Sequence, residues 1–174
     1  NDVPVAVAAP AGGNEDTPIT VNLSGTDEDG TIQSVTVTAL PPAGQGVLYL
    51  PDGTTPVAAG AVLSPDDAAH LVFRPAPDFN GTVDIPFTVT DNDGATSTQA
   101  ITPITIDPVP DPTLTAPDTL TVAEDSATAS GNVLGNDSDA DGPLTVAQFE
   151  VSGTTYTVPA GGNATVVLAG VGTL

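Results

Sequence analysis

The chain has 174 residues, enough for one large domain or two ordinary ones. It carries 22 acidic residues against a single basic one, so its formal net charge is −21. Nucleic acids and anionic lipid surfaces are bound chiefly through Lys and Arg, so we expect neither as a partner. Cysteine is absent, which excludes disulfides, thiol catalysis and Cys-based metal sites. No stretch approaches the roughly 18 consecutive apolar residues of a membrane span, and we expect no direct membrane insertion.

Apolar and polar residues alternate along much of the chain, while helical periodicity is nearly absent. The alternating runs are short and end at Gly, Pro, Asn or Asp, as β-strands do. The clearest are Val3–Val7, Ile19–Leu23, Val35–Val37 and Val83–Val89. Because disordered acidic chains lack such runs, the alternation predicts a folded, all-β protein.

Three local signals lie between these runs. The sequence Pro-Asp-Gly at 51–53 predicts a tight hairpin turn. Ser64, followed by Pro and two aspartates, predicts one helical turn within 63–71, with Ser64 as its N-terminal cap. The stretch 78–81 predicts a turn into a strand at 82–90, with its Asn-Gly pair in the left-handed conformations that such turns need.

A repeated Glu-Asp pair divides the chain. Glu15-Asp16 and Glu124-Asp125 are roughly 110 residues apart, a length typical of an immunoglobulin-like sandwich. Proline alternates with acid around 107–112, which favours a stiff linker. We therefore predict tandem antiparallel β-sandwiches at 1–106 and 113–174. The second is shorter than one repeat, and we expect it to lack its last strands through truncation, an inserted module or completion by another chain.

Three D-x-D-G clusters, at 27–30, 91–94 and 139–142, each lie between two strand-like runs. Adjacent carboxylates repel one another unless a cation lies between them, and Ca²⁺ prefers carboxylate and carbonyl oxygens. One cluster offers too few ligands for Ca²⁺, so we expect clusters to converge at the ends of the sandwiches. The predicted ligands of the first domain, all gathered at one end, are Asn1, Asp2, Glu15, Asp16, Asp27, Asp29, Asp91 and Asp93. Those of the second domain and the linker are Asp107, Asp111, Glu124, Asp125, Asp137, Asp139 and Asp141.

Two simpler interpretations of these acids remain open. Aspartate and glycine are ordinary turn residues, and strong acidity can serve solubility in salty surroundings without any specific ligand. None of the clusters is an EF-hand loop, because none has a Glu at the twelfth position. The recurrence of three clusters, two of them after a Glu-Asp pair, favours metal binding.

No catalytic constellation is visible. His70 is the single histidine, so His-based zinc sites and His-dependent triads lack partners. Six Phe and Tyr residues in total are too few for the aromatic platforms of a glycosidase, and no serine lies on a G-x-S-x-G elbow. We therefore expect that the protein is not an enzyme.

The motifs resemble the tandem repeats of large bacterial surface adhesins of the RTX, or biofilm-associated, type. In residues 1–106 the resemblance lies in the stretches 13–21, 26–30, 46–50, 73–81 and 87–94, which include Gly-Asn-Glu-Asp-Thr-Pro at 13–18 and Thr-Asp-Glu-Asp-Gly at 26–30. The second domain resembles a VCBS-type repeat through 122–126 and 131–142. The resemblance implies cadherin-like or immunoglobulin-like sandwiches, Ca²⁺ at domain junctions, type I secretion and a location on the bacterial cell surface.

The resulting functional prediction is a calcium-binding extender, or scaffold, that positions ligand-binding modules for adhesion or biofilm formation. Its expected partners are neighbouring domains of the same adhesin, and we expect a monomer. The alternative is that the region itself binds a ligand, or that it is a split domain hosting an inserted glycan- or peptide-binding module. Tyr49, Phe149 and Tyr156 are the natural contact residues for that alternative, although each is more simply explained by packing.

Overall fold

The computed structural model describes residues 1–119, 132–151, 154–158, 167–168 and 172–173. The chain divides into two compact units, Asn1–Val109 and Pro110–Leu174. Their boundary falls inside the segment 107–112 that was predicted as a linker. The regular secondary structure of the described residues is β-strand apart from one helical turn, as the alternating pattern predicts.

Unit 1 contains ten strands and one helical turn. In chain order these are β1 (Val5–Ala8), β2 (Ala11–Asn14), β3 (Ile19–Val21), β4 (Leu23–Thr26), β5 (Ile32–Val37), β6 (Gly46–Tyr49), β7 (Val62–Leu63), α1 (Pro65–Ala68), β8 (Leu71–Pro75), β9 (Gly81–Asp91) and β10 (Ala100–Asp107).

Two main sheets build unit 1. One has five strands in the order β2-β10-β9-β5-β7, and the other has three in the order β3-β8-β6. A two-stranded sheet of β1 and β4 completes the unit. All strand pairs are antiparallel except β2 and β10, which are parallel. Both main sheets bury one face in a shared core, which is the layered arrangement of an immunoglobulin-like sandwich.

Strand β9 shows how the sequence pattern produces this core. Val83, Ile85, Phe87 and Val89 are all buried, and the intervening residues face away from the core. Successive side chains on a strand point to opposite faces, so every second residue meets the opposite sheet. The next inward position is Asp91, which is fully buried at the end of the strand. The same alternation therefore places the ionisable side chain of Asp91 at the edge of the core.

The hairpin and the helical turn are confirmed. Tyr49 and Pro56 form an antiparallel bridge across the turn, and the Asp52 carboxylate accepts hydrogen bonds from the Thr54 and Thr55 N–H groups, both over 2.8 Å. A hydrogen bond from the Thr55 hydroxyl, together with these two, lowers the pKa of Asp52 to about 2. The Ser64 hydroxyl caps α1 by accepting from the Asp67 N–H over 3.1 Å.

The prediction for the turn at 78–81 is wrong in one detail. The left-handed backbone conformation belongs to Asp78 (φ 57°), whereas Asn80 does not adopt it, and Gly81 has a φ of 130°. The Phe79 N–H donates to the Ala76 carbonyl over 3.1 Å, so the chain reverses before Asn80 is reached. Aspartate tolerates this conformation because its short polar side chain can compensate locally.

The described part of unit 2 consists of short antiparallel pairs. Strand β11 (Gln148–Val151) pairs with β12 (Thr154–Thr157), and β13 (Val167–Leu168) pairs with β14 (Gly172–Thr173). Leu114 and Ser138 form an isolated bridge. Among the described residues of the whole chain, no helix is long and apolar enough to cross a membrane.

Candidate metal centre

Three separate segments meet at one end of unit 1. They are the residues before β1, the loop from β4 to β5, and the residues that follow β9. Pairing of Val5 with Thr26 brings the first two together, and pairing of Ile32 with Asp91 adds the third. We call this end the Asp27 pole and define it by Asp2, Asp27, Asp29 and Asp91.

The Asp27 carboxylate is the most unusual group at the Asp27 pole. Neither of its oxygens is accessible to solvent, and neither has a hydrogen-bond partner within the protein. Desolvation raises the pKa of Asp27, as do the negative charges of Asp29, Asp91 and Asp2, while the Glu28 N–H offsets this only in part. A shielded, unpaired carboxylate surrounded by like charges is unfavourable unless a cation neutralises it.

Asp91 is held in place by the backbone around it. Its Oδ1 accepts from the Asp93 N–H over 2.9 Å and from the Ala95 N–H over 2.8 Å. In the amide orientation that satisfies its neighbours, the Asn1 side chain donates to Asp91 Oδ2 over 3.2 Å. These bonds hold the buried Asp91 carboxylate beside Asp27. All of them come from the protein itself, so they form without a metal ion.

Gly30 and Asn92 bring the two loops close together. Asn92 Oδ1 accepts from the Thr31 N–H over 2.7 Å, and the Asn92 N–H donates to the Thr31 carbonyl over 3.0 Å. A Cβ atom on Gly30 would collide with Asn92 Oδ1 and with Asp27 Oδ2. The glycine of the first D-x-D-G cluster is therefore needed for this close approach.

Asp29 joins the Asp27 pole to the start of the chain. The Asp2 N–H donates to both oxygens of the Asp29 carboxylate, over 3.1 and 3.2 Å. This hydrogen bonding is the largest cause of the lowered pKa of Asp29. Two neighbouring carboxylates of the same cluster thus have pKa values shifted in opposite directions, because hydrogen bonding to the Asp2 N–H stabilises the charged form of Asp29, whereas desolvation outweighs the effect of the Glu28 N–H at Asp27.

The structure divides the predicted ligands of the first domain between two ends. Asn1, Asp2, Asp27, Asp29, Asp91 and Asp93 belong to the Asp27 pole, where the Asp93 side chain is exposed. The prediction that Glu15 and Asp16 join them is wrong. Strand β2 runs parallel to β10, and β10 runs antiparallel to β9, so Glu15 follows β2 at the end where β9 begins. Strand β9 has 11 residues, which separates its ends by roughly 33 Å.

The opposite end, which we call the Glu15 pole, contains Glu15, Asn80, Asp107 and Val109. Glu15 is 2% exposed, and its Oε1 accepts from the Val109 N–H over 2.6 Å. The Asn80 side-chain amide donates to Glu15 Oε2 over 3.4 Å, and the Glu15 N–H donates to the Asp107 carbonyl over 3.0 Å. Asp16 and the side chain of Asp107 are exposed.

Unit 2 brings several of its predicted ligands close to one stretch of chain. The Asp111 N–H donates to Asp141 Oδ2 over 2.5 Å, and the Ala116 N–H donates to Asp137 Oδ1 over 2.8 Å. The Thr113 hydroxyl donates to Asp139 Oδ2 over 2.6 Å, which is the main cause of the lowered pKa of Asp139. Hydrogen bonds to these carboxylates therefore connect residues 111–116 to residues 137–141. The predicted ligands Glu124 and Asp125 lie outside the described residues.

Two residues of the Asp27 and Glu15 poles were absent from the predicted ligands. Asn92 lies between two aspartates of a D-x-D-G cluster, and that position in the sequence was the available signal. Asn80 was interpreted as a turn residue alone, and nothing local to it in the sequence indicates its contact with Glu15, 65 positions away.

The aromatic residues considered for ligand binding are engaged with other side chains. The Phe149 and Tyr156 rings face each other across β11 and β12, with centroids 5.3 Å apart and planes at 19°. The Arg74 guanidinium lies over the Tyr49 ring, 5.6 Å from its centroid. Ring stacking explains the positions of Phe149 and Tyr156, and a cation–π contact explains that of Tyr49, without an external ligand.

The sequence of this chain matches a known domain family, and the chain is similar to parts of solved structures. No curated protein matches the chain. A mutant of the SrpA adhesin from Streptococcus sanguinis is 12% identical with a TM-score of 0.39, over 62% of this chain and 56% of that one. Fibronectin(III)-like modules of Clostridium thermocellum CbhA are 20% identical with a TM-score of 0.30, over 61% and 46%. The chain thus spans about half the length of each. The sequence model of the bacterial Ig domain matches residues 1–103. The chain belongs to the bacterial Ig domain family.

Proposed function

We propose that this chain is a calcium-binding structural region of an extracellular bacterial adhesin, in which it acts as a spacer between ligand-binding modules. The observation that carries the metal assignment is the Asp27 carboxylate, whose two shielded oxygens have no hydrogen-bond partner. Ca²⁺ is a hard cation that takes six to eight oxygen ligands in flexible geometry, which suits a set of carboxylates from three loops. Asp27, Asp29 and Asp91 would hold the ion, with Asp2 beside them.

The role as a spacer rests on the family and on the sequence motifs. Ig-like domains supply rigid β-sandwiches, and the repeated Glu-Asp pairs and D-x-D-G clusters resemble the RTX and VCBS-type repeats of large adhesins. A chain without cysteine has no disulfides to stiffen it, so a bound cation is the available source of rigidity. In this proposal the partners are neighbouring domains of the same adhesin, the chain is a monomer and it catalyses no reaction.

Thermal unfolding tests the metal assignment directly. The chain is melted in excess EDTA and in a calcium series across roughly 10⁻⁴–10⁻³ M, the range in which extracellular modules bind. Each occupied site is expected to add about 2.7 kcal/mol when free Ca²⁺ is about a hundredfold above its Kd. The unfolding midpoint should therefore rise with calcium.

Two controls separate specific binding from charge screening. Magnesium at equal concentration tests selectivity, because Mg²⁺ requires a tighter octahedral site and dehydrates reluctantly. Sodium chloride at matched ionic strength tests screening alone. A midpoint that does not respond to calcium, or that responds equally to all three salts, would show that the acids are solvated turn residues.

A further inference from the structure

The Glu15 pole contains the single Asn-Gly pair of the chain, Asn80-Gly81. Asn80 is exposed and lies between the turn that precedes it and the start of β9. Gly81 has a φ of 130°, and a Cβ atom built on it would meet nothing closer than a ring atom of Phe79 at 3.9 Å. No other group therefore crowds the Cα of Gly81, which pairs with Ile106 at the start of β9 and thus at the end of the ladder.

This uncrowded position matters because an asparagine side chain can react with the next peptide nitrogen. The Gly81 nitrogen attacks Asn80 Cγ, a C–N bond forms, the Cγ–Nδ2 bond breaks and ammonia leaves. Water then opens the cyclic imide at one of its two C–N bonds, which yields aspartate or isoaspartate. The reaction consumes one water and needs no other reactant. A glycine at the second position removes the side chain that would otherwise obstruct the attack.

The Asn80 amide has a defined structural role that this reaction would end. It donates to Oε2 of Glu15 over 3.4 Å, while Oε1 of the same carboxylate accepts from the Val109 N–H over 2.6 Å. Val109 is the last residue of unit 1, and Glu15 is 2% exposed. The buried carboxylate thus connects the start of β9 to the exit of the unit, and each of its oxygens accepts one hydrogen bond.

From this geometry we infer that Asn80 is a site of spontaneous deamidation, and that its conversion loosens the exit of unit 1. The product carries a carboxylate where the amide was, so Glu15 Oε2 loses a donor and gains a negative neighbour. Like charges at this distance disfavour a buried carboxylate, and the weakened Glu15 holds the Val109 N–H less firmly. The age of the protein would then change how tightly the segment after β10 is held.

Mass spectrometry of the aged wild-type chain tests the first half of the inference. The full chain is incubated in mildly alkaline, calcium-containing buffer, and peptides around each asparagine are compared over time. We expect the mass gain of deamidation, with separable aspartate and isoaspartate products, at Asn80 well before Asn22, an exposed asparagine followed by leucine. Equal rates at Asn80 and Asn22 would overturn the inference. So would an Asn80 peptide that reacts only when the chain is unfolded in urea.

Amide hydrogen exchange of the Asn80→Asp variant tests the second half. The Val109 N–H should exchange about tenfold faster than in the wild type, as expected for the loss of one charge-assisted hydrogen bond. The Asn22→Asp variant adds the same charge away from Glu15 and should leave Val109 unchanged. Unaltered exchange at Val109 in the Asn80→Asp variant would show that the Glu15 contact does not depend on Asn80.

Discussion

At the scale of single residues, the proposed calcium site depends most on Asp27. Asp29, Asp52 and Asp139 all have lowered pKa values because N–H and hydroxyl donors stabilise their charged forms. The pKa of Asp27 is raised instead, because desolvation and the neighbouring negative charges outweigh the stabilising effect of the Glu28 N–H. Turn chemistry therefore explains most of these aspartates, but it does not explain Asp27.

The Asp27→Asn variant should change stability in opposite directions with and without calcium. In EDTA the raised pKa of Asp27 means that the folded state binds its proton more tightly than the unfolded state does. Wild-type stability therefore falls as the pH rises from 3.8, the ordinary pKa of an aspartate, through the raised pKa of the folded state. The variant lacks this loss, so at neutral pH we expect it to melt above the wild type in EDTA and below it in calcium. Melts across pH in both buffers measure the two differences.

The exposed Asp84, on the outer face of β9, provides the matched control for Asp27. Asp84→Asn makes the same chemical change without touching the Asp27 pole, and it should leave the calcium response intact. If Asp27→Asn retained a full calcium-induced rise in the midpoint, the Asp27 pole would not be the metal site.

Asp29 and Asp93 should act on one calcium site. Asp29→Ala removes the acceptor of the Asp2 N–H, and Asp93→Ala removes an exposed charge beside Asp91. Because both carboxylates serve the same loops, we expect the double variant to lose less calcium affinity than the sum of the single losses. Calorimetric titration of the four proteins with calcium gives the coupling. Strictly additive losses would indicate that the two residues act on independent sites.

At the scale of elements, strand β9 links the core to the Asp27 pole. Every second residue from Val83 to Asp91 faces inward. The register that packs the apolar residues into the core therefore also places the Asp91 carboxylate. A shift of one residue would expose the apolar face and withdraw Asp91. The core thus sets the geometry of the candidate site.

Phe87→Ala should reveal this dependence. Phe87 is fully buried, and its truncation leaves a cavity that is expected to cost about 3–5 kcal/mol. Chemical denaturation in calcium measures the loss, and Thr82→Ala, an exposed position on the same strand, should change stability by less than about 0.5 kcal/mol. A small effect of Phe87→Ala would mean that β9 does not organise the core.

At the scale of the whole molecule, the net charge of −21 acts on stability independently of any bound ion. In EDTA the carboxylates repel one another, and added salt screens that repulsion over a Debye length of about 8 Å at about 0.15 M. We therefore expect the unfolding midpoint in EDTA to rise with sodium chloride and then to level off. A further rise when calcium is added at high salt would isolate the contribution of a specific site, whereas no further rise would assign the whole effect to screening.

Local patterns in the sequence predict the fold well but the candidate site only in part. Alternation identified the buried residues of β3, β5 and β9, and the Ser64 cap and the turn at 51–53 were predicted from neighbouring residues alone. Local patterns do not show which acids lie together, because residues such as Asp2, Asp29 and Asp91 come from segments far apart in the chain. Their convergence depends on which strands pair and in which direction.

The sequence by itself determined that the chain is all-β, which residues of β3, β5 and β9 enter the core and that the acids cluster at strand ends, but the alternating valines Val3, Val5 and Val7 are exposed. Each of these follows from interactions between neighbouring residues or from the period of a strand. Only the tertiary structure decided that Glu15 and Asp27 belong to opposite poles, that Asp27 lacks partners and that Asn80 contacts Glu15. The parallel pairing of β2 with β10 and the antiparallel pairing of β10 with β9 fix those distances, and such pairings are set by the packing of the whole core.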